Sequence, residues 1–125
     1  MKLDMFFKSV IDSRVSGQLF YCDTHHTIIY MNPVAINRYQ KFGGESLIGQ
    51  SLLNCHGEKS KIAIGKILTW FKESEDHNRV YTSYNSKEDK DVYMIALRDE
   101  NKQVIGYYEK HECRKNETGK MYDMD

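Results

Sequence analysis

Three strand-like runs in the last third of the chain, separated by short polar turns, limit the possible folds more than any other feature. The runs cover about residues 79–85, 91–98 and 103–112. Turns of this kind between β-rich segments predict three sequential antiparallel strands. The middle run is apolar on both faces from Val92 to Leu97, so we expect it to lie centrally in a sheet, with one side covered by helices and the other by the N-terminal helix or a partner.

The N-terminal half predicts a helix, a β-hairpin and a second, short helix. Apolar residues at three- and four-residue spacing indicate a helix from residue 1 to about 14. Residues 19–31 form two strand-like runs around a tight turn. Asn32 and Pro33 then indicate a helix start, because asparagine is a favoured N-cap and proline fits the first helical position.

The middle of the chain predicts short helices followed by the longest helix of the molecule. Glycines interrupt residues 45–53, which favours one or two single-turn helices there. Apolar side chains at Ile64, Ile67, Leu68 and Phe71 follow helical spacing within about residues 60–74. The predicted order is therefore two strands, short helices, one longer helix and three strands.

This order resembles that of a PAS domain, and three segments carry the resemblance. Residues 28–35 look like the second strand of that family running into its first helix, and residues 45–52 resemble its E-x-L-I-G-x-S-L segment. Residues 97–106 resemble its R-D-x-x-G-x-x-x-G closing hairpin, with Asn101 at or beside the usual glycine. The resemblance covers roughly residues 18–113.

The resemblance implies an α+β fold with a five-stranded antiparallel sheet. Short helices and one longer helix lie on one face of that sheet, and the N-terminal helix precedes it. We expect residues 1–16 to form the N-terminal helix, residues 17–113 the PAS-like domain and residues 114–125 a polar tail. The resemblance also implies a sensory or interaction module, whose cavity holds haem, flavin, a small metabolite or nothing.

Cys55 and His56 are the most unusual pair in the chain. With Asn54, Lys59 and Ser60 they resemble the N-C-H-x-x-K-S segment of a bacterial PAS subgroup. Thiolate and imidazole bind haem iron and zinc, so haem is the leading cofactor candidate, with His56 as its metal ligand. In the alternative reading, His56 bonds a backbone carbonyl to fix a turn and Cys55 is a small buried side chain.

Flavin is a weaker candidate than haem. Flavin photosensors of this fold resemble one another through an N-C-R-F-L-Q segment, whereas Asn54 and Cys55 are followed here by His56 and Gly57. The walls of a cavity would come from the strands and from the helix stripe, although the same residue types also build an ordinary core. The candidate wall residues are Tyr30, Ile36, Tyr39, Ile64, Leu68, Tyr93, Ile95 and Tyr107.

Composition argues against several functions. Lysine plus arginine equals aspartate plus glutamate at 18 each, so no basic surplus indicates a nucleic acid or an anionic membrane as partner. No apolar run reaches the roughly 18 residues of a membrane span, and no export signal is evident. Three cysteines without a CxxC pair fit the cytoplasm. No hydrolase, phosphate-loop or metalloprotease motif is present, so we do not expect an enzyme.

The N-terminal helix carries apolar residues on two sides, which is more than one small domain usually covers. We therefore expect a homodimer contact there, or a helix laid over its own core. The predicted contact residues are Leu3, Met5, Phe6, Phe7 and Val10. The sequence thus indicates a cytoplasmic sensory domain that binds a small ligand and signals through contacts with an output protein. The alternative is an interaction or dimerisation module without a cofactor.

Overall fold

The elements of the computed structural model follow the predicted order, and the model describes residues 3–13 and 17–123. In chain order they are α1 (Leu3–Asp12), β1 (Leu19–Asp23), β2 (Ile28–Met31), α2 (Pro33–Arg38), three 3-10 helices (Gln40–Phe42, Gly44–Leu47 and Leu52–Cys55), α3 (Glu58–Glu73), β3 (Arg79–Asn85), β4 (Lys90–Arg98) and β5 (Val104–Cys113). Positions 1, 2 and 14 of the predicted first helix lie outside the described residues. The glycine-interrupted stretch contains two single turns, Gly44–Leu47 and Leu52–Cys55, as predicted, and a further turn, Gln40–Phe42, precedes them.

The five strands form one antiparallel sheet in the order β2-β1-β5-β4-β3. The prediction that the run Val92–Leu97 lies at the centre is wrong, because β5 occupies that place and β4 lies between β5 and the edge strand β3. β5 is the central strand since it pairs with β1 on one side and with β4 on the other. The apolar outer face of β4 is instead partly covered by side chains of its neighbouring strands.

The core lies between one face of the sheet and the helices. Its buried members come from every layer: Phe20, Cys22, Ile28, Met31, Ala35, Leu47, Leu52, Ile64, Leu68, Phe71, Met94 and Tyr107. Side chains alternate between the two faces of a strand, so the residues of β4 and β5 that share the inner face are every second one. The predicted α+β sheet with helices on one face is confirmed.

Asn32 joins β2 to α2 and fixes the start of that helix. It is fully buried, and its Oδ1 accepts hydrogen bonds from the backbone amides of Leu19 at 2.9 Å and Ala35 at 3.0 Å. Its Nδ2 donates to the carbonyls of Ile11 and Gly17 at 3.1 and 3.2 Å. The predicted N-cap therefore also ties α1 and the chain before β1 to the domain.

Arg98, at the end of β4, fixes the C-terminal end of the long helix α3. Its Nη2 donates to the carbonyls of Phe71, Ser74 and His77 at 2.7, 2.9 and 3.1 Å. The last carbonyls of a helix have no partner within the helix, so a side-chain donor satisfies them here. The arginine of the predicted closing hairpin thereby caps the C-terminal end of α3.

α1 lies beside the outer face of the sheet, opposite the core. Ile11 and Asp12 are half-buried, and the Tyr30 hydroxyl donates a hydrogen bond to Asp12 Oδ1. Residues 4–10 are exposed, so this part of α1 does not cover the core. None of the described helices is long and apolar enough to cross a membrane. The described part of the predicted tail, residues 114–123, contains neither helix nor strand.

Candidate functional site

The interior beneath α2 and the 3-10 helices is filled by side chains. A space of about 10 Å³ lies there, roughly enough for one water molecule. It is lined by Phe20, Ile28, Met31, Tyr39, Leu47, Leu52 and Cys55. Two predicted wall residues, Tyr39 and Cys55, therefore belong to the packed core, and Ile36 packs against the same core. A space of this size has no room for a ligand.

An open cleft of about 610 Å³ lies between the first half of α3 and the strands β3, β4 and β5. This volume falls within the range of small-molecule and cofactor sites. The lining residues come from the turn before α3, from α3 and from three strands: His56, Ser60, Ala63, Ile64, Ile67, Val80, Tyr81, Thr82, Ser83, Tyr84, Asn85, Val92, Met94, Glu109 and His111. The cleft is the candidate ligand site.

Some predicted site residues fall at this cleft and others in the core. His56 and Ile64 line the cleft. Leu68 is buried behind it, and Tyr107 is buried on the inner face of β5, where its hydroxyl meets His26 Nδ1 at 2.8 Å. The sequence pattern assigned these residues to the interior. In the structure, His56 and Ile64 reach the cleft, whereas Leu68 and Tyr107 pack in the core.

The prediction that Tyr30, Tyr93 and Ile95 line the cavity is wrong. Strand pairing places Met94 opposite Glu109 on the inner face, so its neighbours Tyr93 and Ile95 point outward. The Tyr93 ring lies 5.2 Å from that of Tyr81 and 4.1 Å from the guanidinium of Arg79. Tyr30 packs on the outer face, with its hydroxyl on α1.

Cys55 and His56 face different parts of the interior although they are adjacent. The side chain of Cys55 lines the small packed space, whereas His56 lines the open cleft. His56 Nδ1 lies 3.0 Å from the carbonyl oxygen of Leu52. A carbonyl only accepts, so Nδ1 donates this hydrogen bond, and in the neutral imidazole Nε2 then carries the lone pair. The turn-fixing role weighed for His56 is thus present, and Nε2 remains available as an acceptor or ligand.

A polar chain missed by the sequence reading lies at the inner end of the cleft. His111 is buried, and its Nε2 lies 2.8 Å from Glu109 Oε1 and 3.0 Å from Gln18 Nε2. Gln18 Nε2 in turn donates to the Tyr39 hydroxyl at 3.4 Å. Burial raises the pKa of Tyr39 to about 12, so this hydroxyl stays protonated at neutral pH.

The sequence contains a signal for these two residues. Glu109 and His111 follow Tyr107 at intervals of two on the same strand, and Tyr107 was placed on the inner face. Because side chains alternate along a strand, all three share that face. The charged run 109–112 looks like a solvated strand end, but only Lys110 and Glu112 point outward.

The charges of the cleft differ from those that haem needs. Haem carries two carboxylates, yet neither lysine nor arginine is among the residues that line the cleft, and Glu109 adds a negative charge. His56 Nε2 supplies one nitrogen atom of the kind that binds haem iron. No group of three potential metal ligands occurs within the described parts of the chain. The lining therefore meets one requirement of haem and fails the other, and the haem prediction stays a prediction.

Comparisons with known proteins identify the fold. No family model and no curated protein matches the chain. A C-terminal domain from Streptococcus mutans is 17% identical, with a TM-score of 0.67 over 90% of this chain and 85% of that chain. The PAS domain of a Colwellia psychrerythraea protein is 15% identical, with a TM-score of 0.64 over 90% of this chain and 97% of that one.

A third solved structure is similar over less of the chain. The Aer2 receptor from Vibrio cholerae, described as a dual PAS-heme oxygen sensor, is 15% identical, with a TM-score of 0.51 over 76% of this chain and 91% of that one. The chain has the PAS fold. At identities of this size the likeness defines the fold, and function has to be argued from the site.

Proposed function

We propose that this domain is a sensory module that binds a small organic ligand in the cleft between α3 and β3–β5. The observation that carries the proposal is the cleft itself, which has a ligand-sized volume, apolar walls and a polar inner end. A few placed polar groups in an apolar cleft are typical of ligand sites. The similar fold of the Aer2 receptor, a haem sensor by its description, supports a sensory role without naming the ligand.

We propose that ligand binding is transmitted through β5 to the outer face of the sheet. Glu109 and His111 line the cleft. Lys110, which lies between them, and Tyr108, which precedes Glu109, point to the outer face. β5 pairs with β1, whose Tyr21 lines a surface groove together with Phe7 and Ile11 of α1. A ligand that shifts β5 would change the packing of α1, and an output protein that contacts this face would detect the change.

The cytoplasm is the proposed location. Cys22, Cys55 and Cys113 are all free thiols, and reduced thiols fit a reducing compartment.

The first experiment is native mass spectrometry combined with an ultraviolet-visible spectrum. The protein is expressed with haem and flavin precursors available, and it is compared with two helix variants. Ala63→Trp fills the cleft, whereas Ile62→Trp places the same side chain at a neighbouring α3 position that does not line it. We expect bound mass on the wild type and on Ile62→Trp, and none on Ala63→Trp.

Two outcomes contradict the proposed site. If Ala63→Trp retains the ligand, the ligand lies elsewhere. If no mass co-purifies and a small-molecule library raises the melting temperature of neither the wild type nor Ile62→Trp, the cleft is not a ligand site. A Soret band on the wild type would establish haem and contradict our interpretation of the cleft charges.

A second candidate function is a homodimerisation module, and the exposure of α1 favours it. Met5, Phe6, Phe7 and Val10 are 71%, 51%, 62% and 66% exposed. Apolar side chains this exposed on one short helix are typical of a contact surface. The side chain of Leu3, the fifth predicted contact, lies outside the described part.

Sedimentation velocity tests the dimer. Phe7→Ser is compared with Ile62→Ser, a change of an apolar residue that is 52% exposed on α3. We expect Phe7→Ser to shift the dimer toward the monomer and Ile62→Ser to leave it unchanged. A wild-type protein that stays monomeric at high concentration would contradict this candidate function.

A further inference from the structure

The charge of the cleft points to the chemistry of its ligand. Among the described residues that line it, Glu109 is the only carboxylate, and neither lysine nor arginine is present. The side chain of Glu109 is 22% exposed, so it is largely removed from water. Its Oε1 lies 2.8 Å from His111 Nε2, and the described residues supply no hydrogen-bond partner for Oε2.

A half-buried carboxylate with an unused oxygen favours a cationic donor. Charge-assisted hydrogen bonds to a carboxylate are about twice as strong as neutral ones. The same carboxylate repels an anionic ligand, and the repulsion increases as the cleft loses water. A protonated amine would supply both the missing donor and the missing positive charge at Oε2.

The strand register gives the distance from this carboxylate to the apolar wall. Glu109 pairs with Met94 on β4, and Met94 pairs with Val80 on β3. Neighbouring strands lie about 4.8 Å apart, so the row from Glu109 to Val80 spans roughly 10 Å. Ile64 and Ile67 of α3 form the opposite wall. The cleft therefore offers one negative end followed by an apolar slot about as long as a small arylalkyl group.

We infer that the cleft selects a small organic amine, with its ammonium group on Glu109 and its apolar body between α3 and the row Met94–Val80. This inference rests on the proposed function and specifies the ligand class of the same site. The 2.8 Å contact with His111 Nε2 occupies Oε1 and leaves Oε2 without a partner among the described residues.

Three probes of nearly equal size test the charge preference. They are 2-phenylethylamine, 2-phenylethanol and phenylacetate, each titrated into the full chain by two-dimensional NMR and calorimetry. We expect the amine to bind at least tenfold more tightly than the alcohol and the acid. Shifted amide signals are expected from β4, β5 and α3.

Two variants assign the preference to one carboxylate. Glu109→Gln keeps the shape and removes the charge, whereas Glu112→Gln removes a charge from the same strand on its outer face, where Glu112 pairs with Lys110 at 2.8 Å. We expect Glu109→Gln to lower amine affinity tenfold or more and to leave the alcohol within twofold. Glu112→Gln should leave both within twofold. If Glu109→Gln folds poorly, the affinities of the three probes for the wild-type protein still test the charge preference.

The outcomes separate the inference from the proposed function. If phenylacetate or phenylethanol binds in the cleft as tightly as the amine, the inference is wrong and the ligand site stands. The same conclusion follows if Glu109→Gln binds the amine like the wild type. If none of the probes shifts any cleft signal at millimolar concentration and no ligand co-purifies with the protein, both the inference and the proposed site are wrong.

Discussion

Replacing Arg98 by alanine should loosen the C-terminal end of α3 from the sheet. The three part-buried bonds from Nη2 to backbone carbonyls would be lost, together with those from Nη1 to Lys102 O at 2.8 Å and from Nε to Asn78 Oδ1 at 2.7 Å. A typical hydrogen bond contributes about 1 kcal/mol net. Counting only the three part-buried bonds gives a loss of roughly 3 kcal/mol.

Urea unfolding measures this loss. A change of roughly 3 kcal/mol corresponds to an increase on the order of 100-fold in the unfolding equilibrium constant. Trp70 is the single tryptophan, and its ring stacks on that of His77 at 3.8 Å, so its fluorescence reports on this end of α3. With slopes of about 1–3 kcal/mol/M for small domains, the midpoint should fall by roughly 1 M or more.

Arg79→Ala is the matched control for the loss of an arginine. The guanidinium of Arg79 lies 4.1 Å from the centre of the Tyr93 ring, and the residue is exposed. An exposed cation–π contact contributes about 0.5–1 kcal/mol. If Arg98→Ala costs no more than Arg79→Ala, Arg98 does not fix α3 to the sheet and the argument from its hydrogen bonds is refuted.

Three further variants test other parts of the fold. Asn32→Ala removes four hydrogen bonds from a fully buried side chain and should cost about 3–4 kcal/mol in urea unfolding; a loss below about 1 kcal/mol would contradict its linking role. Gly106→Ala should prevent folding, because a Cβ at this position would collide with the carbonyl of Cys22. Gly65→Ala has open space on α3 and should stabilise the protein by about 1 kcal/mol. Circular dichroism melts that are the same for the two variants would refute this. Burial lowers the pKa of His26, so the unfolded chain takes up this proton at a higher pH than the folded protein, and the free energy of unfolding should fall as the pH drops below about 6.5. His26→Asn should make this pH dependence weaker. A free energy of unfolding in urea that stays constant between pH 5 and 7.5 would contradict the prediction.

The order of elements was predictable because it depends on local chemistry. The Asn32–Pro33 junction encodes its own helix start, and the stripe from Ile64 to Phe71 encodes the buried face of α3. Polar turns mark the strand ends of the last three runs. Each of these signals lies within a few residues of the feature it specifies, so no knowledge of distant pairing is needed.

The faces of the strands were harder to predict. Tyr93 and Ile95 alternate with Val92 and Met94, and all four are apolar, so the pattern of β4 does not say which pair faces inward. Only the pairing of Met94 with Glu109 decides it. A shift of one residue in register would exchange the two faces, which is why a strand that is apolar on both sides is ambiguous from sequence.

The position of the cleft depended on packing that is not local. Cys55 and His56 are adjacent in the sequence, but one lines the packed core and the other borders the cleft. Whether a cavity stays open depends on how completely side chains from distant segments fill it. Phe20, Met31 and Tyr39 close the space beneath α2, whereas the smaller side chain of Ala63 leaves the region beside β3 open.

The edge position of β3 has a consequence for how such a domain evolves. β3 forms the outer wall of the cleft and is held to the sheet by a single ladder, that with β4, which is interrupted by an irregularity between Tyr81 and Ser83. Substitutions along this strand can widen or narrow the cleft without disturbing the ladders of β5 with β1 and β4. The shape of the cleft can therefore change over generations while the central strands, and the folding they secure, are preserved.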